Sequence, residues 1–223
     1  MIFSLGTLLT ALRGVGCGDP HPVFANGLRY IPPSLKQQIT SDAFDELSPY
    51  GVTQGDGFTP EFEDLLHLIG QPAQGYFAYT RDATGQTSIL ATADDETAVC
   101  VVCRGDQVEL TEVDVHPADA LVARLPHCRP ADLKPFSLPQ DDFRTPPDSD
   151  IFDEERSRAA QELDALLQQP HFGVGQLHAA DRTVSYLDLK AGRVGIALEN
   201  GYINVAPGEQ ENLSQMLKAA ALE

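Results

Sequence analysis

Apolar residues in the first 15 positions fall three and four apart. Leu5, Leu8, Leu9, Leu12 and Val15 share one helical face over residues 4–15, and the glycine- and proline-bearing stretch 14–22 stops the run. Residues 34–47 repeat the spacing with Leu35, Ile39, Ala43 and Leu47, between Pro32-Pro33 and Pro49. Thr59-Pro60 makes an N-cap and first-turn pair, and Phe62, Leu65, Leu66 and Ile69 supply the apolar face of a third helix ending at Gly70-Gln71-Pro72. From Gly75 the helical period gives way to runs dense in Tyr, Phe, Val, Ile and Thr. Strands are predicted over 75–81, 87–93, 97–104 and 107–115, with turns at 82–86 and at Gly105-Asp106, which together make an antiparallel meander. His116-Pro117 then opens a helix with Leu121, Val122 and Leu125 inward, and Pro126 ends it.

The stretch 129–149 carries Pro130, Pro135, Pro139, Pro146 and Pro147 among charges and reads as a linker without a regular element. Beyond it, 153–169 predicts an amphipathic helix with Leu163, Leu166 and Leu167, stopped by Gln169-Pro170 as the earlier helix was by Gln71-Pro72. Strands follow over 173–180, 183–189, 193–199 and 202–206. Asn200-Gly201 between the last two is the strongest hairpin signal in the chain. A final helix from Pro207 carries Leu213, Met216, Leu217 and Ala220. Both halves thus run helix, Gln-Pro stop, about four strands, helix. The fold class this predicts is α/β in the α+β sense, organised as a quasi-two-fold repeat. Its parts are an N-terminal lobe at 1–128, the proline-rich linker at 129–149 and a C-terminal lobe at 150–223, with a cleft between pseudo-symmetric lobes as a natural binding place.

Composition narrows the function classes. The 223 residues, 42% of them hydrophobic, suffice for a substantial core. Fifteen Lys and Arg against 33 Asp and Glu give a net charge of −18, which repels nucleic-acid phosphates and anionic membrane surfaces. The apolar run 2–12 imitates the core of a signal peptide, but no Lys or Arg precedes it, Arg13 lies on its wrong side, and Gly14 sits where a lipoprotein signal before Cys17 wants a Leu-like residue. It is also too short to span a bilayer. A soluble, cytoplasmic protein is therefore expected.

The chemistry-bearing residues do not assemble into a recognisable site. Cys100 and Cys103 form a CxxC inside a β-branched run, and residues three apart on a strand point to opposite faces, so one metal cannot easily take both. With Cys17 and Cys128 they read as packed, reduced thiols. His21, His67, His116, His127, His171 and His178 lack the short spacing of a local metal site, with His67 reading as a helix-surface residue and His116 as a cap. The acidic clusters Asp94-Asp95-Glu96, Asp141-Asp142 and Asp153-Glu154-Glu155 lack the ligand alternation of a calcium loop. Gly14-Val15-Gly16-Cys17-Gly18 and Gly173-Val174-Gly175 both miss the third glycine of a dinucleotide loop, and Arg104-Gly105-Asp106 reads as a hairpin turn. No catalytic residue, cofactor site or metal site is predicted.

The order of short signatures along the chain resembles the EspG family, the cytosolic specificity chaperones of actinobacterial type VII secretion. The resemblance rests on Ser4-Leu5-Gly6-Thr7-Leu8-Leu9, Gly27-Leu28, Gly51-Val52 and Leu65-Leu66-His67-Leu68-Ile69-Gly70-Gln71-Pro72. It continues through 98–115 with Pro117 and Leu125-Pro126, then Gln169-Pro170, Gly173-Val174-Gly175-Gln176, Gly192-Arg193 and the stretch from Gly201-Tyr202 to Pro207. It implies a central antiparallel sheet with flanking helical bundles, no catalysis and no cofactor, and a helical protein substrate, the tip of a PE-PPE-like dimer. It also implies contact through the hairpin loop of the first meander, which by position is Arg81, Asp82, Ala83, Thr84, Gly85 and Gln86, and through the sheet with the C-terminal bundle.

Two other classes stay open at this level. A ligand-binding protein or enzyme between the lobes would draw on His178, Asp181 and Arg193 and predicts a closed pocket with perturbed ionisable groups. A self-associating module predicts a stable homodimer instead. The chaperone class predicts an open, partly apolar face.

Overall fold

A three-residue strand, β1 (Ile2–Ser4), precedes α1 (Leu5–Gly14) in this computed structural model, which describes residues 1–28, 30–72, 75–144, 157–180 and 182–221. Next come α2 (Lys36–Leu47), the two-residue strands β2 (Thr53–Gln54) and β3 (Gly57–Phe58), α3 (Pro60–Gly70), and the meander β4 (Gly75–Asp82), β5 (Gly85–Ala93), β6 (Ala98–Arg104) and β7 (Gln107–Glu112), closed by α4 (Pro117–Ala123). The rest of the chain gives β8 (Phe136–Pro139), α5 (Gln140–Arg144), α6 (Arg158–Leu167), a second meander of β9 (His171–Ala179), β10 (Arg182–Leu189), β11 (Gly192–Glu199) and β12 (Tyr202–Pro207), and α7 (Gln210–Ala221). The fold is mixed α+β on antiparallel sheet. Packing divides it into one unit of Met1–Tyr79 with Gly85–Arg124 and another of Thr80–Thr84 with Leu125–Glu223.

In the first unit the strands lie in the order β1, β7, β6, β5, β4. Strand alternation sorts their residues onto two faces. Leu90, Val99, Val101, Cys103, Val108 and Leu110 pack with α1 and α3 through Leu5, Leu9, Leu12, Leu66 and Ile69. Ile89, Cys100 and Val102 are equally buried but lie outside that cluster, on the face where α4 packs against β5 and β6. Two caps place the helices. Ser4 Oγ accepts from Thr7 N at the start of α1, and His116 Nδ1 accepts from Ala118 N at the start of α4. Glu46 ties α2 to the N-terminus of α1, accepting from Ser4 N at 2.8 Å, from Ser4 Oγ at 3.0 Å and from Thr7 Oγ1. The carboxylate thus takes up donors that the start of a helix leaves without partners.

In the second unit the order is β9, β10, β11, β12, β8, with antiparallel partners at β9–β10, β10–β11, β11–β12 and β12–β8. One face is covered by α7, which packs on β9, β10 and β11, with Leu213 and Leu217 fully buried. The other face takes α6: Ala160 and Leu163 pack with Leu138, Leu189, Val194, Ile203 and Val205.

Three elements depart from the sequence reading. The apolar run at the N-terminus divides, because β1 pairs with β7 before Ser4 caps the helix. Within the proline-rich stretch read as lacking regular structure, Phe136–Pro139 pairs with β12 and Gln140–Arg144 is helical. An edge strand has one side that needs no amide donors, so Pro139 is tolerated there. Pro207 ends β12 instead of opening α7. Pro146, Pro147 and the cluster Asp153-Glu154-Glu155 lie outside the described residues, and α6 is described from its Ser157 cap, whose hydroxyl accepts from Ala160 N.

A buried ion pair fastens the second unit. Asp188 on β10 faces Arg193 on β11, with Nε to Oδ1 at 2.6 Å and Nη2 to Oδ2 at 2.9 Å, both side chains about 5% exposed. The guanidinium stands 4.1 Å over the ring of Tyr186 and donates to Pro126 O at 2.7 Å. Burial alone would lower the pKa of Arg193; the hydrogen bonds and charge of Asp188 more than offset it and hold the pKa above its ordinary value. The neighbouring glycines make room for this knot. A Cβ at Gly175 would come 2.1 Å from the Tyr186 ring and one at Gly173 2.5 Å from the Asp188 carboxylate. The dinucleotide-like Gly173-Val174-Gly175 is thereby explained as packing.

Two predictions follow from this packing. Asp188→Asn leaves Arg193 charged and buried without its counter-ion, and should lower unfolding free energy by about 3–5 kcal/mol in urea titrations followed by circular dichroism. A loss below about 1 kcal/mol would mean that the guanidinium finds water or another acceptor. The four cysteines are free, and burial pushes the thiols of Cys100 and Cys103 up to about 11 and about 12. Iodoacetamide at about pH 8 should therefore leave both unmodified in the native protein and alkylate both in urea, as read by peptide mass spectrometry.

Candidate functional site

The hairpin of the first meander is tighter than its sequence suggests. β4 ends at Asp82 and β5 begins at Gly85, so only Ala83 and Thr84 cross the tip. Asp82 Oδ1 accepts from Thr84 N at 2.7 Å and from Thr84 Oγ1 at 2.6 Å, an Asx-type turn, while Gly85 takes φ +131°. Arg81, Ala83, Thr84, Gly85 and Gln86 are exposed and Asp82 is half-buried. The six residues form a compact knuckle, its tip held by the Asp82–Thr84 hydrogen bonds.

A larger feature, which sequence reading did not single out, lies on the α6 side of the second meander. The helix covers only part of that face, where Ala160 and Leu163 pack with Leu138, Leu189, Val194, Ile203 and Val205. Beside it Leu187, Ile196, Leu198 and Ile203 of the sheet, Leu163 and Leu167 of α6 and Phe143 of α5 line an open groove of about 520 Å³. Thr183, Ser185 and Gln140 give it a sparse polar border. Leu198 and Leu167 are 47% and 42% exposed. In the sequence these leucines look like ordinary core positions, because strand alternation states which residues share a face but not whether a helix covers it.

Of the residues proposed for chemistry, His178 and Arg193 do not meet. His178 sits within 3.0 Å of Thr183 Oγ1, and burial keeps its imidazole pKa below the usual value. By strand alternation it shares a face with Thr183 and Ser185, whereas Arg193 lies on the opposite face and is committed to Asp188. Asp181 lies outside the described residues. His67 is exposed on α3, and Arg104-Gly105-Asp106 forms the β6–β7 turn with Gly105 at φ +61°. Among the described residues no three His, Cys, Asp or Glu side chains gather so as to hold a metal ion, and no helix is long and apolar enough to cross a membrane.

Comparison with known proteins gives this geometry its context. The model of the EspG family matches residues 4–219, nearly the whole chain. No curated protein matches. Among solved structures, the chain is similar to the Mycobacterium tuberculosis type VII secretion system chaperone EspG5, solved in complex with the PE25-PPE41 dimer. The two are 11% identical, with 99% of this chain and 95% of that one covered and a TM-score of 0.71. At that identity the likeness establishes a common fold.

Proposed function

The chain belongs to the EspG family, and on that premise we propose that it is a cytoplasmic specificity chaperone, without catalytic activity, that binds the helical tip of a PE-PPE-like substrate of a type VII secretion system. The observation that carries this reading is the groove on the α6 side of the second meander. A helix recognised in a groove lays down apolar anchors at intervals of three and four residues, and Leu187, Ile196, Leu198 and Leu167 offer an apolar floor and wall for them behind a thin polar border. Leaving such side chains open to water is unfavourable unless something covers them for part of the time. The net charge of −18 keeps the loaded and unloaded protein dispersed. The knuckle Arg81, Asp82, Ala83, Thr84, Gly85 and Gln86 is the second proposed contact, a preformed turn that loses little conformational freedom on binding. EspG5 in complex with the PE25-PPE41 dimer supplies the client class.

The test is a tagged pull-down from native cytosol, with bound proteins identified by mass spectrometry and the complex sized by light scattering. A helical secretion substrate at equal stoichiometry is expected. Leu198→Glu, at a site about half exposed, should weaken that complex at least about tenfold with little change in thermal midpoint. Arg81→Glu combined with Thr84→Trp should weaken it less, by about fivefold. Recovery of the protein alone as a homodimer, or a complex indifferent to Leu198→Glu, would overturn the assignment of the groove.

A further inference from the structure

The first unit holds a second concavity, of about 530 Å³, that the chaperone reading does not use. α1 and α2 run antiparallel, since Glu46 near the end of α2 meets Ser4 at the start of α1. Toward the other end of the pair the helices leave an open groove whose lining also takes in Tyr30 and Ile31. Its floor is apolar and well defined. Phe44 and Phe58 stack with ring centroids 4.9 Å apart and planes 14° from parallel, and Phe58 meets Phe62 edge-on at 5.4 Å. Of the apolar stripe that α2 presents, only Ala43 and Leu47 are buried; Ile39 stays half-buried in the groove wall.

The charged lining is what identifies an occupant. Arg13 and Lys36 both line the groove, and no Asp or Glu does, in a chain where acidic residues outnumber basic ones 33 to 15. Neither side chain has an ion-pair or hydrogen-bond partner among the described residues. Arg13 lies in the last turn of α1, where a cation also suits the helix dipole. Lys36 stands where the 3-10 turn Pro33–Leu35 runs on into α2, exposed at the groove.

We propose that the groove between α1 and α2 is a binding site for a small amphipathic carboxylate of the fatty-acid type, its chain lying on Phe44 and Phe58 and its carboxylate held between Arg13 and Lys36. The volume falls within the range of small-molecule sites, about 300–1,000 Å³. Arg supplies a planar fork that matches a carboxylate, and Lys a flexible point charge able to follow ligands of different length. The site goes beyond the chaperone reading and does not depend on it.

Isothermal titration of the full chain with decanoate and with decylamine, both below their micelle concentrations, tests the assignment. Decanoate should bind at least about tenfold more tightly than decylamine. Arg13→Glu/Lys36→Glu should reverse that preference, an outcome that a merely structural role for the two residues would not give. Both side chains are exposed, so the double variant should keep its far-ultraviolet circular dichroism. Thr40→Trp, which fills the groove from its exposed wall, should abolish binding of both probes. Leu198→Glu should leave decanoate binding intact, which separates this site from the client groove. Equal affinity for the two probes, no saturable decanoate binding, an unchanged preference in the charge-reversed variant, or displacement of decanoate by a helical client would each overturn the proposal.

Discussion

Burying a guanidinium is tolerable only if its charge and its hydrogen-bond donors are met, and the second unit is arranged around meeting them. Arg193 takes both carboxylate oxygens of Asp188, the face of Tyr186 and the carbonyl of Pro126. Its backbone is engaged as well: Arg193 N donates to Arg129 O, and Arg193 O accepts from Ala131 N and Gly208 N. One residue therefore fixes the register of β10 against β11, the path of the chain over 126–131 and the entry to α7. A one-residue slip would turn Asp188 or Arg193 to the other face and strand a charge, so the alternatives are strongly disfavoured. The glycines follow from the same constraint, because Gly173, Gly175 and Gly208 stand where any Cβ would collide with Asp188, Tyr186 or Arg193.

Most of the fold was legible in the sequence where a single local rule decides. The eight strands of the two meanders appear near the expected positions because period-two patterning and turn residues such as Asn200-Gly201 act over a few residues. His116 as a cap was legible for the same reason. What escaped depends on distant partners. β1 is hidden because its residues continue an apolar run into α1 and become a strand only by pairing with β7. β8 is hidden because proline suppresses the strand signal, while an edge position in the folded sheet removes the objection. The Asp188–Arg193 pair had a faint signal, opposite charges placed symmetrically about a two-residue turn, which becomes a contact only once the register is known. The candidate site was less legible than the fold. Sequence position located the knuckle at 81–86, but the groove depends on how far α6 extends over the sheet, a tertiary fact with no trace in the periodicity of either element.

Unequal coverage of the two faces of the second meander is what leaves this unit an open apolar surface. On one face α7 fills the space, and a Cβ at Gly195 would come 2.8 Å from the side chain of Leu213, so helix and sheet are in close contact. On the other face α6 packs over Leu138, Leu189, Val194, Ile203 and Val205 and leaves Leu198 partly bare. Rigid support on one side and an open apolar face on the other suit a protein that holds a helix reversibly. The support fixes the geometry of the open face before a partner arrives, so little ordering is required at the moment of binding.

The end of the sheet at β8 bears on how such a surface can exist at high concentration. A bare apolar face beside an unprotected strand edge would invite other chains to add strands to it and build a ladder. β8 is four residues long, preceded by Pro135 and finished by Pro139, and α5 follows it directly. Prolines at both ends and so short a run give an incoming strand almost no continuous set of donors and acceptors to copy. The prolines that look like linker chemistry in the sequence thus act as a stop against templated polymerisation, which lets the protein keep sticky side chains in water without becoming the seed of its own precipitate.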